Sequence, residues 1–353
     1  MSKLEVIVGG MYGSCAKGNV AGFLSRGRDQ LAAVRVAGPN AGHSVYDVFG
    51  RCWKLQQVPV AAVTNKQASL FIAAGSEIDM EILQREVTQL DDAGFAVSSR
   101  LFVDSEATIV EKHHGETEYG DGVSHGEGGL TKSIGPTGKG VGAARAARCM
   151  RTAKLFRDAA PPHQPSDTAK MLREFSALGD VMIEGTQGYA LGTHSGAYPW
   201  CTSSDCRAID FCSMVGISPW TFSEVEVWVV LRTYPIRVAG NSGPMRNELT
   251  WDELSRRTNG YIQPERTTVT NKVRRVGDWD PILAREAIEA NGGSDNVKVA
   301  LMFFDYWMPG LAGKEKQDDL TDEHWRKVLD VENELGVDVS LLGTSPSTII
   351  DLR

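Results

Sequence analysis

The stretch Leu4-Glu5-Val6-Ile7-Val8-Gly9-Gly10-Met11-Tyr12-Gly13-Ser14-Cys15-Ala16-Lys17-Gly18-Asn19-Val20 decides the fold. A short apolar strand runs into a glycine-rich turn, and the turn runs into the start of a helix. A turn of this kind lets backbone N–H groups come close to phosphate oxygens. Gly13, Ser14, Cys15, Ala16, Lys17 and Gly18 are therefore candidate nucleoside-triphosphate contacts, with Lys17 adding a point charge at the helix entrance. A standard P-loop would place glycine where Met11 and Ala16 stand, and the GxGxxG spacing is absent as well. Taken alone, the turn could equally be a tight structural corner.

Working outward, apolar runs rich in β-branched residues recur at Leu31–Val36, Leu70–Ala73, Val181–Ile183, Val225–Leu231, Val297–Phe304 and Val337–Leu342. Runs without polar alternation suit strands buried on both faces, as in a mostly parallel sheet. Between them, Met80, Leu83, Val87 and Leu90 recur at helical spacing within Asp79–Leu90. The alternation predicts an α/β fold with a mostly parallel central sheet and helices on both faces, and a single domain over residues 1–353. Ligands in such folds lie beyond the carboxyl ends of the strands. The second strand ends in Ala37-Gly38-Pro39-Asn40-Ala41-Gly42-His43-Ser44, which lies beside the first loop if the two strands are neighbours. A histidine there can hydrogen-bond or protonate a developing phosphate charge.

The bulk composition narrows the class. The chain has 353 residues and a formal charge of -8. Nonspecific nucleic-acid binding needs basic surface, so direct nucleic-acid partners are not expected. No apolar run approaches the roughly 20 residues that span a bilayer, and the N-terminus does not read as a signal peptide. The six cysteines form no CxxC pair, which suits reduced thiols in a cytosolic protein. The stretch Glu111–Gly129, with His113, His114 and His125 among many glycines, reads as a mobile loop without an assigned role.

The two loops together resemble adenylosuccinate synthetase, whose members carry a Q-W-G-D-E-G-K-G-K type loop and an N-A-G-H-T segment. The likeness continues in order along nearly the whole chain. Ser133-Ile134-Gly135-Pro136-Thr137-Gly138-Lys139-Gly140-Val141-Gly142 is similar to I-G-T-T-G-R-G-I-G, and Glu184-Gly185-Thr186-Gln187-Gly188 to E-G-A-Q-G. Tyr198-Pro199-Trp200-Cys201-Thr202-Ser203-Ser204 is similar to Y-P-Y-V-T-S-S, and Arg237-Val238-Ala239-Gly240 to R-V-G-A-G. Thr270-Asn271-Lys272-Val273-Arg274-Arg275-Val276-Gly277 is a weaker copy of T-G-R-x-R-R-x-G.

The resemblance implies a P-loop-NTPase-like synthetase fold and a reaction in two steps. A nucleoside triphosphate phosphorylates the purine 6-oxygen, and the amine of aspartate then displaces that phosphate. It implies catalytic roles for Ser14, Lys17 and His43. It implies triphosphate contacts from Gly13 to Gly18, from Gly42, His43 and Ser44, from Phe303 and Asp305, and from Gly343, Thr344, Ser345 and Pro346. Asn40, Thr137, Gly138, Arg151, Gln187, Thr202 and Lys272, with Ser14, would hold the purine monophosphate. Thr270, Lys272 and Arg274 would hold aspartate, since cationic donors suit carboxylates. Magnesium would be the cofactor, held by Ser14 and Gly42. The family's homodimer would place Arg151 in the partner's nucleotide site, with Arg148 a competitor for that role.

Three departures bear on the substrate. Ser14 stands where ordinary members have the catalytic aspartate, which takes the N1 proton. A serine hydroxyl is a poor general base but can ligate magnesium, and it leaves room beside a guanine for the 2-amino group. This resembles a viral branch, 2-amino-2'-deoxyadenylosuccinate synthase, which uses dGMP to supply 2-aminoadenine for phage DNA, in the host cytoplasm. The family's guanine-reading T-K-L-D appears as Met302-Phe303-Phe304-Asp305, so Phe303 replaces the lysine and ATP or dATP is the expected donor. The chain is also compact, like archaeal and viral members. The leading expectation is a dGMP:aspartate ligase. The alternatives are a conventional synthetase acting on IMP and a catalytically silent nucleotide sensor. The group that takes the N1 proton is left open.

Overall fold

The computed structural model describes residues 2–36, 38–119, 134, 138–159, 161, 163–266 and 272–353. The predicted alternation of strand and helix is present. A ten-stranded sheet runs in the order Ile349–Asp351, Val339–Gly343, Val297–Met302, Glu224–Arg232, Lys3–Gly9, Asp180–Glu184, Leu31–Arg35, Ser69–Ile72, Leu101–Asp104, Pro165–Ser166. All neighbours are parallel except the pair Val339–Gly343 and Ile349–Asp351.

The absence of polar alternation in the strands has a direct cause. Leu4, Val6 and Val8 pack into one core, and Ile7 into a second core on the opposite face. Val227, Val229 and Leu231 share the first core, while Trp228 and Val230 share the second. Both faces are apolar because both are covered. Residues of Ala208–Val215, Pro281–Ala290 and Asp322–Leu335 complete the first core. Residues of Lys17–Ser25, Ala61–Thr64 and Met80–Asp92 complete the second. The expected helix over Asp79–Leu90 is Met80–Asp92, started by Asp79, whose carboxylate accepts the amides of Glu81 and Ile82.

Several expectations need correction. The run Val297–Phe304 is a strand only to Met302. Phe303 has a φ of 63°, in the left-handed region, which takes the chain out of the ladder and into the short turn Phe304–Tyr306. The last parallel strand begins at Val339 rather than Val337. His43 lies not in a loop but at the start of a hairpin, His43–Tyr46 paired with Cys52–Leu55. The stretch from Glu111 opens as a helix, Lys112–Tyr119, with His114 and Glu118 buried. Glu118 accepts the amides of Gly140 and Gly142. The remainder of that stretch, 120–129, lies outside the described residues.

The first two strands are not neighbours, because Asp180–Glu184 lies between them. Their loops meet by another route. Gly18, in the first turn of Lys17–Ser25, has no room for a side chain: a Cβ there would sit 2.6 Å from the Ser44 carbonyl oxygen and 2.7 Å from His43 Cβ. The glycine lets the helix start press against the hairpin that carries His43. A small antiparallel sheet of Ile236–Arg237, Glu248–Leu249 and Arg275–Gly277 fixes the segment that follows Lys272. Among the described residues no helix is long and apolar enough to cross a membrane.

Candidate active site

The carboxyl ends of the central strands bring the two loops and the Arg274 segment into one site. In the first loop, Gly13, Ser14 and Ala16 all have positive φ. Three such residues in four turn the chain sharply at the strand end. Ala16 is the N-cap of Lys17–Ser25 and contributes no side-chain cap. The amides of Cys15, Lys17 and Gly18 meet no acceptor among the described residues. Lys17 is buried, and its ammonium donates to the Gln187 carbonyl and contacts Cys15 Sγ at 3.6 Å. No carboxylate among the described residues pairs with it. An uncapped helix start and a buried, unneutralised ammonium make an anion site, since removing a lone charge from water costs several kcal/mol.

Below this loop lies a buried charged cluster that the sequence reading did not assemble. Glu184 ends the strand beside the first, and Arg35 ends the next strand out. Arg35 Nη1 lies 3.0 Å from Glu184 Oε1, and His43 Nδ1 lies 2.5 Å from the same oxygen. The second oxygen of Glu184 accepts the Val60 amide at 2.9 Å. Arg35 Nη1 is also 2.7 Å from His43 Nδ1, and one nitrogen cannot both donate to Glu184 and accept from Arg35. The Nδ1–H tautomer is the consistent choice, because an unprotonated Nδ1 facing a carboxylate at that distance would be repelled. Burial, followed by the Arg35 charge, pushes the His43 pKa down to about 3, although Glu184 pulls it up. The ligand-free ring is neutral. Glu184 is held below the usual carboxylate range: burial raises it, but Arg35 and the hydrogen bond from His43 outweigh that.

Ser14 is exposed, and its hydroxyl accepts from Arg274 Nη1 at 3.0 Å. Its carbonyl accepts from Arg232 at 2.8 Å. Arg232 is buried, pairs with Glu265, and lies 4.0 Å above the Phe303 ring. Phe303 packs partly into the core, so one ring face belongs to Arg232. Arg275 binds Glu248 and the Gly243 carbonyl, which gives it a role in the small sheet.

The remaining expected residues divide. Gln187 has a φ of 58° and its carbonyl holds Lys17; Gly138 is buried with a φ of 64°. Thr202 is held by its amide on the Leu191 carbonyl and by the Thr193 hydroxyl on its own carbonyl. Asn40 is half-buried, and Gly42, Ser44 and Lys272 are exposed. Thr344 is fully buried, its hydroxyl donating to the Lys314 carbonyl, which ties down the turn rather than offering a contact. Gly343 ends a strand, Ser345 bonds within its own turn, and the Pro346 carbonyl accepts from Asn19. Arg151 is exposed, with a φ of 65°, and makes no side-chain bond among the described residues. Arg148, its competitor, is bound to Glu106. Thr137 and Thr270 lie outside the described residues. The residues that the sequence reading missed are Arg35, Glu184, Arg232 and Glu265. A charge at the end of an apolar run, at Arg35, Glu184 and Arg232, was the signal that could have found three of them.

The family model "Adenylosuccinate synthetase" matches residues 6–164 and 152–305. The adenylosuccinate synthetase of Methanococcus aeolicus is 33% identical over 354 residues, covering 99% of each chain. That of Pyrococcus horikoshii is 34% identical over 354 residues, covering 99% of this chain and 98% of the other. Among solved structures, succinoaminodeoxyadenylate synthetase of cyanophage S-2L, bound to dGMP and to dATP as an energy donor, has a TM-score of 0.80 at 26% identity, covering 99% and 95% of the two chains. The fully ligated enzyme of Plasmodium falciparum has a TM-score of 0.81 at 17% identity, with 99% of each chain covered, and shows the shared fold. The fold and site define a C–N ligase that acts on a purine nucleotide with a nucleoside triphosphate and aspartate. The chain belongs to the adenylosuccinate synthetase family.

The Glu184 cluster yields a test. In Glu184→Gln, Arg35 loses its buried counter-charge, and stability in denaturant titration should fall by about 3 kcal/mol. The pH dependence follows from the two lowered pKa values. Neutral His43 and ionised Glu184 stabilise the fold above their unfolded pKa values, and that stability is lost as pH falls from 6.5 toward 3. Glu184→Gln should show a shallower loss as pH falls below 4.5, where Glu184 itself titrates, while the loss between 6.5 and 4.5, which belongs to His43, remains; an unchanged slope below 4.5 would contradict the assignment.

Proposed function

We propose that this enzyme joins aspartate to carbon 6 of dGMP, driven by ATP or dATP, and yields 2-amino-2'-deoxyadenylosuccinate for 2-aminoadenine DNA. The observation that carries this reading is Ser14. It stands exposed at the loop tip, with Arg274 on its hydroxyl, where the family carries aspartate. An uncharged, smaller side chain leaves space beside the purine for a 2-amino group. It also replaces a surface ion pair to Arg274 with a single neutral-acceptor hydrogen bond. The guanidinium is then more easily released to a substrate carboxylate. The cyanophage enzyme, solved with dGMP and dATP, supports the same reading, whereas the curated relatives carry the conventional name.

In this reading the chain works as one domain. The amides and ammonium at the start of Lys17–Ser25, with Ser44 and the Gly343, Ser345 and Pro346 positions of the last turn, hold the triphosphate. Asn40, Thr137, Gly138, Gln187, Thr202 and Lys272 hold the monophosphate, and Thr270, Lys272 and Arg274 hold aspartate. The purine gives up its N1 proton as its 6-oxygen attacks the γ-phosphorus and the nucleoside diphosphate leaves. The aspartate amine then attacks carbon 6, sheds a proton, and inorganic phosphate leaves. His43 is balanced for the first step. Burial and Arg35 keep it neutral, while Glu184 and the incoming phosphoryl charge favour the imidazolium, so it can take up a proton as negative charge gathers beside it. Glu184 is a positioning residue that fixes the ring.

The Ser14 hydroxyl and the Gly42 carbonyl are hard oxygen donors, and two protein oxygens beside phosphates and water suit magnesium. Bound there, magnesium would neutralise charge on the phosphate oxygens. Arg274 must leave the Ser14 oxygen for that fit. Arg151, exposed and without a side-chain bond among the described residues, is the group we assign to the partner's monophosphate site in a homodimer.

Aspartate-dependent phosphate release, with ATP and magnesium, should be seen with dGMP and be at least tenfold weaker with IMP. Release with IMP alone would make this a conventional synthetase. Mixing inactive Arg151→Ala with inactive Lys17→Ala should restore activity by forming hybrid dimers; no recovery between subunits shown to exchange would place Arg151 in its own subunit's site.

A further inference from the structure

We infer that Tyr261 sets the donor's base specificity, because its hydroxyl occupies the Asp305 carboxylate and so withholds it from a guanine. The inference rests on the reading that the donor is ATP or dATP, and it deepens that reading by naming the group that disfavours GTP. Asp305 follows the strand Val297–Met302, at the carboxyl end of the sheet where ligands gather. It is 5% exposed. No cation pairs with it among the described residues, and its one side-chain partner is the Tyr261 hydroxyl, which donates to Oδ2 at 2.9 Å. Burial lifts its pKa to about 6, against the pull of that hydrogen bond.

A guanine presents adjacent N–H donors at N1 and the 2-amino group, and a carboxylate matches them with two acceptor oxygens. With the phenol already donating to Oδ2, a guanine would have to share that oxygen's remaining lone pair and fit beside the phenol, which weakens the paired contact. An adenine lacks both donors and loses nothing. The rest of the corner agrees. Phe303 offers no donor for a 6-oxo group, and its ring lies under Arg232, whose guanidinium is committed to the Ser14 carbonyl and Glu265. Tyr306 closes the far side, 5.3 Å from Phe303 and 6.3 Å from Tyr261 between ring centroids. Tyr261 itself is 40% exposed, so removing its hydroxyl leaves the core intact.

The test compares kcat/KM for ATP and GTP in the full-length enzyme and in Tyr261→Phe, using whichever monophosphate the wild type turns over. The wild type should prefer ATP. Tyr261→Phe should raise the GTP-to-ATP ratio about tenfold, through a lower KM for GTP, and Tyr261→Phe combined with Asp305→Asn should abolish that gain. If the wild type prefers ATP and the ratio does not move in Tyr261→Phe, the Tyr261 assignment is overturned and the donor reading stands. If the gain survives in the double variant, the carboxylate is not the reader, and the assignment also fails. A wild type that prefers GTP overturns the donor reading itself. Should Tyr261→Phe not accumulate in folded form, Tyr261→Leu removes the same hydroxyl and is read in the same way.

Discussion

One buried carboxylate organises this site. Glu184 holds Arg35 and His43 with one oxygen and the Val60 amide with the other. It thereby ties together two sheet strands, the hairpin that begins at His43, and the turn that leads into Ala61–Thr64. Pairing is what makes these buried charges tolerable, and each partner here depends on the others. The arrangement fixes the imidazole next to the anion site made by Lys17 and the uncapped helix start. Chemistry of this kind is achieved mainly by placing charges in advance, which is what a rigid, buried cluster provides.

The fold was legible in the sequence because burial on both faces leaves its mark on every strand. Leu4, Val6, Ile7 and Val8 could form an unbroken apolar run only if both faces of the sheet were covered. Strand order was not legible. Nothing in the first two strands announces that Asp180–Glu184 is inserted between them, since that neighbour comes from far along the chain. The meeting of the two loops was expected for an insufficient reason: Gly18 packing against His43 and Ser44, not strand adjacency, brings them together. The end of the strand at Met302 was hidden because Phe303 has the composition of a strand residue but a left-handed backbone.

The site was legible where short motifs sit on loops, and illegible where its parts act across the fold. Lys17, Ser14 and His43 lie on the two loops that meet at Gly18, and Arg274, 260 residues from Ser14 in sequence, reaches its hydroxyl. Tyr261 and Asp305 likewise come from separate segments, and no local pattern links them.

In the proposed mechanism the purine 6-oxygen is phosphorylated before the aspartate amine displaces the phosphate. Turnover of dGMP labelled with oxygen-18 at the 6-oxygen, followed by mass analysis of the released phosphate, tests this most directly. The heavy oxygen should leave the purine and appear in inorganic phosphate, one atom for each aspartate joined. Phosphate released without the label, with aspartate nonetheless attached, would contradict it.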